Sequence, residues 1–338
     1  MSHSLSHDPL AAARLLIAGG VVAFPTETVY GLGAHAERLD AVRRVFAIKR
    51  RPADHPLIVH GADAGVLDRY ARTVNRDVRR LADELWPGPL TLVVARSHWV
   101  PDVVTGGRDT VGLRVPDQPL AHEMLAAVAA GVAAPSANVF GHTSPTTAAH
   151  VWADLGDRVD MILDGGPCAI GVESTIVDLS ADEPMILRSG GISPETIEAL
   201  LGRPVARVAT GPARAPGMLD AHYAPNATVR LTTRDQLETE LALQRARGQR
   251  VAVLSADKCD ALDPQMLVLR PSGDRPEDFA HDLYRLLRDA DTAGADVVVV
   301  VAPTGDGIAA AVRDRLERAA RAGRVVPIGA RKAETGPA

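Results

Sequence analysis

An α/β fold in two parts is predicted by three observations. Short apolar runs alternate with amphipathic helical patterns along all 338 residues. Between Gly202 and Ala227 that alternation stops, and Pro, Gly and Ala accumulate, with Pro204, Pro212, Pro216 and Pro225 precluding a long regular element. Beyond it the alternation resumes in a shorter stretch that carries the run Val297–Val301. A chain of this length is long for one domain and comfortable for two, each able to bury its own core.

In the first part, strands are expected at 21–25, 56–60, 90–96, 111–115, 132–134, 161–163, 174–179 and 185–188. Helices are expected at 9–18, 39–48, 74–85, 120–130, 146–155 and 194–201. The last has Ser193 as N-cap and Pro194 at the first helical position, a strong start signal. After the break come strands at 229–231, 251–254, 266–269 and 297–301. Helices are expected there near 234–247, 276–293 and 308–320, giving a small βαβ-type unit with a buried parallel sheet. This divides the chain into 1–201, a linker at 202–227, a small unit at 228–331, and a disordered tail at 332–338.

Composition excludes several classes. No apolar run reaches the roughly 18 residues that a membrane span needs, and the first twenty residues lack a secretory pattern, so a cytosolic protein is expected. Cys168 and Cys259 have no partner at metal or redox spacing and are expected to pack. Residues 1–205 carry 18 basic and 24 acidic groups, and 206–338 carry 19 and 18, so neither half is a general nucleic-acid binder. Arg69, Arg72, Arg76, Arg79 and Arg80 are interleaved with Asp68, Asp77, Asp83 and Glu84, which reads as an ion-paired solvated face. His3 and His7 fall in a terminus expected to be loose. No third glycine completes a dinucleotide fingerprint around Gly31 and Gly33, and there is no P-loop.

The chemistry is expected on loops at the ends of buried strands. Lys49 stands out because positive charge comes almost wholly from Arg; the other lysines are Lys258 and Lys332. A compact ammonium and a planar guanidinium are not interchangeable where a site needs one of them. Lys49, Arg51, Arg114 and Arg188 supply cations, while Thr28, Thr110, Ser136, Asn138, Ser144 and Ser174 supply neutral hydrogen-bonding groups. That mixture suits a polyanion beside a small polar ligand. No nucleophilic triad stands out, so catalysis by positioning and charge stabilisation is expected. Glu27 and Glu173 are candidate magnesium ligands, but a lone loop carboxylate is more often a hydrogen-bond acceptor.

Seven ordered motifs now carry a resemblance: Phe24-Pro-Thr-Glu-Thr-Val-Tyr-Gly-Leu-Gly33, Lys49-x-Arg51-Pro, Pro56-Leu-x-x-His60, Trp86-Pro-Gly-Pro-Leu-Thr91, Ala134-Pro-Ser-Ala-Asn138, Glu173-Ser-Thr-Ile176 and Arg188-Ser-Gly-Gly191. With Pro216-Gly-Met218 and His222-Tyr-Ala-Pro225, the chain resembles the YrdC-like family in its long, two-domain form, the L-threonylcarbamoyladenylate synthases. The resemblance covers residues 9–325. It implies an open twisted-sheet domain joined by the Pro/Gly-rich linker to a smaller Rossmann-like βαβ domain. It also implies that L-threonine, bicarbonate and ATP, with magnesium, give threonylcarbamoyl-adenylate and pyrophosphate. The product would pass to separate proteins that modify tRNA, so direct tRNA binding is not required.

Carried over by motif, threonine would be held by Thr28, His60, Arg114, the backbone at Ala134, and Ser174. ATP would be held by Arg51, His55, Thr110, Ser136, Ser144, Arg188 and Tyr223. Lys49, Arg51, Ser136 and Asn138 match the family's catalytic tetrad; the resemblance leaves the metal ligands undefined. Two departures stand out. His55 replaces the usual Asn, and Leu219, Asp220 and Ala221 precede His222 where the family often has basic or aromatic residues. The linker carrying Tyr223 reads as a lid. Two other readings remain open: a carbamoyl-adenylate-forming relative, and a double-stranded RNA-binding module on the same scaffold.

Overall fold

A computed structural model describes residues 5–207, 223–257 and 266–322. Lys258, Cys259, Lys332, the linker motif through His222, and the expected tail lie outside the described residues, as does His3. In chain order the strands are β1 Leu5–Ser6, β2 Val22–Phe24, β3 Gly31–His35, β4 Ile58–His60, β5 Leu90–Ala95, β6 Thr110–Arg114, β7 Val132–Ala134, β8 Met161–Leu163, β9 Thr175–Asp178, β10 Met185–Arg188 and β11 Ala206–Arg207. The second unit adds β12 Thr228–Thr232, β13 Val251–Leu254, β14 Leu267–Leu269 and β15 Val297–Val301. Among the described residues, one mixed sheet runs β1-β8-β2-β3-β7-β4-β6-β5-β9-β10-β11, and a second, wholly parallel sheet runs β12-β15-β13-β14. The large sheet therefore continues to Arg207, inside the segment read as linker.

Local chemistry explains most boundaries. Asp8 caps the helix Pro9–Ala18 by accepting from the Leu10 and Ala11 amides, and Gly19 closes it at φ 94°. Ser193 accepts from Thr196 N to open the helix Pro194–Leu201. β15 is five consecutive valines, the first four buried, as a central parallel strand requires. The structure adds β3, a strand that the apolar pattern does not predict. Its glycines have poor strand propensity, yet a Cβ on Gly33 would strike Phe24 and Val132, so close packing between β2 and β7 demands glycine there. The amino terminus is not loose at its described end. Leu5 and Ser6 pair with β8, and His7 Nδ1 lies 2.8 Å from the Asp164 carbonyl oxygen, because the edge of β8 offers unpaired backbone groups. The short helices Gly65–Tyr70 and Asp102–Thr105 also lacked a sequence signal.

Register places functional residues together. β4 and β6 run parallel with His60 opposite Arg114, and antiparallel β7 sets Ala134 opposite Ile58. The β2–β3 connection, the ends of β4, β6 and β10, and the start of β9 thus converge at one place in the large sheet. The second unit sits against it. Val29 and Val172 share an apolar core with Tyr223, Phe279, Leu283 and Tyr284. Arg288 reaches back to Asp154 at 2.7 Å and to the Thr143 carbonyl. At this seam Gly171, with φ 83°, brings its backbone against the Ala280 and His281 backbone of the helix Pro276–Thr292, closer than any Cβ allows. Gly171→Ala is expected to destabilise the protein by about 1–3 kcal/mol through left-handed strain and separation of the two units; a denaturant midpoint matching the unaltered protein would contradict this.

Candidate active site

A cleft at the convergence point is lined by Thr26, Thr28, Tyr30, Arg51, His60, Arg114, Ala134, Ser136, Glu173, Ser174, Arg188 and Tyr223, among others. All five residues expected to hold threonine are present, with four of the seven expected to hold ATP. In this conformation the cleft encloses about 50 Å³, space for only a handful of waters. Tyr223, in the part of the linker where the description resumes, is buried in its wall.

One corner collects Arg114, Thr28, Glu27 and His60. Arg114 Nη2 lies 2.8 Å from Glu27 Oε1 and donates to Thr28 Oγ1 at 2.9 Å; all three side chains are buried. Thr26 Oγ1 lies 2.8 Å from Thr28 Oγ1 and donates to the Val29 carbonyl, fixing the loop. His60 packs edge-on against Phe24. Burial, aided by Arg114, pushes the His60 imidazole down to about 3, so it is neutral at physiological pH. His60 Nδ1 and Arg114 Nε are buried without a protein hydrogen-bond partner, an unusual cost unless a ligand satisfies them.

The opposite side is cationic. Arg51 donates to the Pro56 carbonyl at 3.1 Å and stacks its guanidinium over Phe140 at 5.7 Å, while its Nε has no protein partner. Burial lowers Arg51 to about 10, leaving it charged at neutral pH. Arg188 grips the Ser174 carbonyl at 2.9 Å and the Ser174 hydroxyl at 3.1 Å; that hydroxyl lies 2.8 Å from Thr91 Oγ1.

Lys49 lies behind the cleft, outside its lining. Its ammonium donates to the Ser136 and Asn138 carbonyls, both at 2.6 Å, and to Asn138 Oδ1 at 3.0 Å. Ser136 Oγ donates to the same Oδ1 at 2.5 Å, and Asn138 Nδ2 donates to the carbonyls of Val139 and His142. Burial, then Arg51, pushes the Lys49 ammonium well below its usual range. The cage explains why an ammonium suits this position, since three converging oxygens match a point donor better than a planar fork. Asn138, Ser144, His55 and Thr110 also lie outside the lining. Ser144 donates to Glu173 Oε1 at 2.7 Å, and the His55 ring packs on Phe140 at 5.5 Å.

Glu173 is a buried charge in the cleft wall. Burial alone would raise it, but Arg315, then Arg188, outweigh burial and hold it down to about 2. Its oxygens accept from Ser144, from the Tyr284 hydroxyl at 3.0 Å and from Arg315 Nε at 2.8 Å. Sequence reasoning missed Tyr284 and Arg315. Each sits within an amphipathic helix of the second unit where nothing marks it apart from its neighbours. Neither Glu27 nor Glu173 is disposed as a metal ligand, since each faces an arginine, and no group of three acidic, His or Cys residues forms a metal cage among the described residues.

Residues 14–190 match the Sua5–YciO–YrdC family model, described as telomere recombination, and 192–321 match that of the threonylcarbamoyl-AMP synthase C-terminal domain. The chain belongs to the Sua5–YciO–YrdC family. It is 41% identical to a threonylcarbamoyl-AMP synthase of Pyrococcus abyssi, covering 91% of this chain and 92% of that one. It is 39% identical to one of Bacillus subtilis, covering 95% of each. The solved structure of P. abyssi Sua5 complexed with L-threonine matches with a TM-score of 0.86 at 39% identity, over 93% of this chain and 94% of that one. The α/β fold of the long Sua5 form is thereby shown. No described helix is long and apolar enough to cross a membrane.

Buried groups make this family member acid-sensitive. His60 at about 3 and His150 at about 4, the latter lowered by burial and then Arg288, take up protons in the unfolded chain near 6.5 but resist them when folded. Glu173, at about 2 against 4.5, holds its proton only in the unfolded chain between those values. The unfolded state thus binds more protons throughout, so stability falls as pH drops below about 6.5 and falls more steeply below about 4.5. Melting temperature measured from about pH 8 to pH 4 is expected to decline in that order; a flat profile between about pH 7 and 5 would exclude the histidine contribution.

Proposed function

We propose that this protein is a threonylcarbamoyl-AMP synthase, joining L-threonine, bicarbonate and ATP into threonylcarbamoyl-adenylate with release of pyrophosphate. The observation that carries the reading is one cleft holding an Arg114–Thr28–His60 corner fit for an amino acid beside the Arg51–Arg188 pair fit for a polyphosphate. In this reading Arg114 pairs with the threonine carboxylate. The neutral His60 and the Ser174 hydroxyl meet its small polar groups. Carbamate forms when the threonine amine attacks the bicarbonate carbon and water leaves. A carbamate oxygen then attacks the α-phosphorus, and pyrophosphate departs in line.

Charge builds on the phosphates during that step, and Arg51 and Arg188 are fixed in advance to stabilise it. Ser136 faces the cleft from a loop that Lys49 braces from behind, so in this reading Lys49 acts on the substrate through Ser136. Magnesium enters with ATP, held by the phosphates. With Tyr223 buried in its wall, the cleft shields the carbamate from water. The product is a mixed anhydride fit for an acyl acceptor, in keeping with transfer to tRNA by separate proteins. The unit at 228–331 serves as a cover for the catalytic unit at 1–201.

The test is mass-spectrometric detection of threonylcarbamoyl-adenylate, with pyrophosphate release, from purified protein, ATP, magnesium, bicarbonate and L-threonine. The adduct is expected only with every substrate present; ATP binding without adduct would refute the reading. Under the same assay Lys49→Ala, which strips the only ammonium from a buried oxygen cage, and Arg51→Ala are expected to cut turnover by about 100-fold or more. His55→Asn, at a half-buried position packed on Phe140, is expected to stay within a few fold. Equal rates for all three variants would remove the assigned roles.

A further inference from the structure

Glu173 borders the cleft, yet two of the groups that hold its carboxylate come from the second unit. Arg315 is 1% exposed and contacts three segments that face the proposed nucleotide. Its Nε donates to Glu173 at 2.8 Å, its Nη2 donates to the Ser189 carbonyl at 2.9 Å, and its guanidinium lies 5.2 Å from the centre of the Tyr223 ring. Tyr284 donates to both Glu173 oxygens at 3.0 Å and packs its ring 5.9 Å from Tyr223. On the far side Arg315 meets Asp314 at 2.6 Å, and Asp314 meets Arg318 at 2.9 Å, so charges alternate outward from the cleft.

Glu27 offsets Arg114 at 2.8 Å, and Arg315 offsets Glu173. Arg51 and Arg188 are the further cations among the described residues that line the cleft. Arg188 is the next cation to bear on Glu173, so loss of Arg315 would turn Arg188 toward compensating a buried carboxylate. We propose that Arg315, assisted by Tyr284, is a positioning residue for the nucleotide. By neutralising Glu173, holding the Ser189 carbonyl and backing the Tyr223 ring, it keeps Arg188 and Tyr223 directed at the triphosphate. The second unit thereby contributes to nucleotide affinity. This rests on the reading of the cleft as an ATP site.

The experiment is calorimetric titration of the full-length protein with ATP plus magnesium and, separately, with L-threonine. Arg315→Met is expected to raise the ATP Kd by about tenfold and leave the L-threonine Kd within about twofold, because the lost charge acts locally in a desolvated site. Arg315→Lys, which keeps the charge but loses the fork that spans Glu173 and the Ser189 carbonyl, is expected to weaken ATP binding less than Arg315→Met. Adding Glu173→Gln to Arg315→Met is expected to restore most of the lost affinity, because it removes the buried charge that Arg188 would otherwise compensate. An Arg315→Met protein that melts as a folded chain and binds ATP normally overturns the proposal, as does a double variant no better than the single. If Arg315→Met does not fold, Tyr284→Phe decides: lacking only a hydroxyl, it should weaken ATP binding by about threefold and spare L-threonine, and unchanged ATP binding overturns the proposal. Failure of the unaltered protein to bind ATP would instead strike the synthase reading itself.

Discussion

The Glu173 carboxylate is almost wholly shut from water, and much of the structure is arranged around keeping it charged there. An isolated ion at that depth would cost several kcal/mol, and only close cations and donors make it tolerable. Ser144 from the large unit and Tyr284 and Arg315 from the small one supply them. Because these partners lie on separate segments, satisfying one charge fixes the spatial relation of three parts of the chain. The apolar contacts of Val29 and Val172 with Tyr223 and Tyr284 add area to the same seam. The electrostatic requirement gives that area its geometry.

Lys49 shows the same principle in reversed sign. Its buried ammonium is tolerated because three oxygens of the Ser136–Asn138 loop converge on it, and those oxygens are in turn tolerated because of Lys49. A loop that would otherwise be flexible is thereby held against the cleft with Ser136 on the inner side. Preorganisation of this kind suits a reaction whose barrier is mainly accumulated phosphate charge, since groups already in place need not reorganise at the transition state. The neutral His60 beside charged Arg114 follows from the same environment, in which burial penalises a second cation more than solvent could repay.

Much of this was legible in the residues themselves. The helices Pro9–Ala18 and Pro194–Leu201 and the strands β7, β8, β10, β13 and β15 were expected at the bounds observed, because caps, prolines and valine runs act over a few residues. The Thr28, His60, Arg114, Ala134 and Ser174 set was implied by the resemblance that the motifs carry, and all five line one cleft. β3 escaped because its glycines answer to packing against Phe24 and Val132, side chains that sequence proximity does not connect to Gly33. Lys49 was visible as unusual, but its direction was not. Whether it meets a ligand or a neighbouring loop depends on where Ser136 and Asn138 fall, far along the chain.

From its sequence alone this protein was determined to be an α/β chain in two parts with a cluster of cations and hydroxyls on loops, because hydrophobic periodicity, capping and residue chemistry are local properties. Tertiary structure alone decided which charges neutralise which. Arg315 and Tyr284 look like ordinary members of amphipathic helices until folding carries them beside Glu173, more than a hundred residues away. Coulomb energy depends on distance and dielectric, and neither is a property of sequence position.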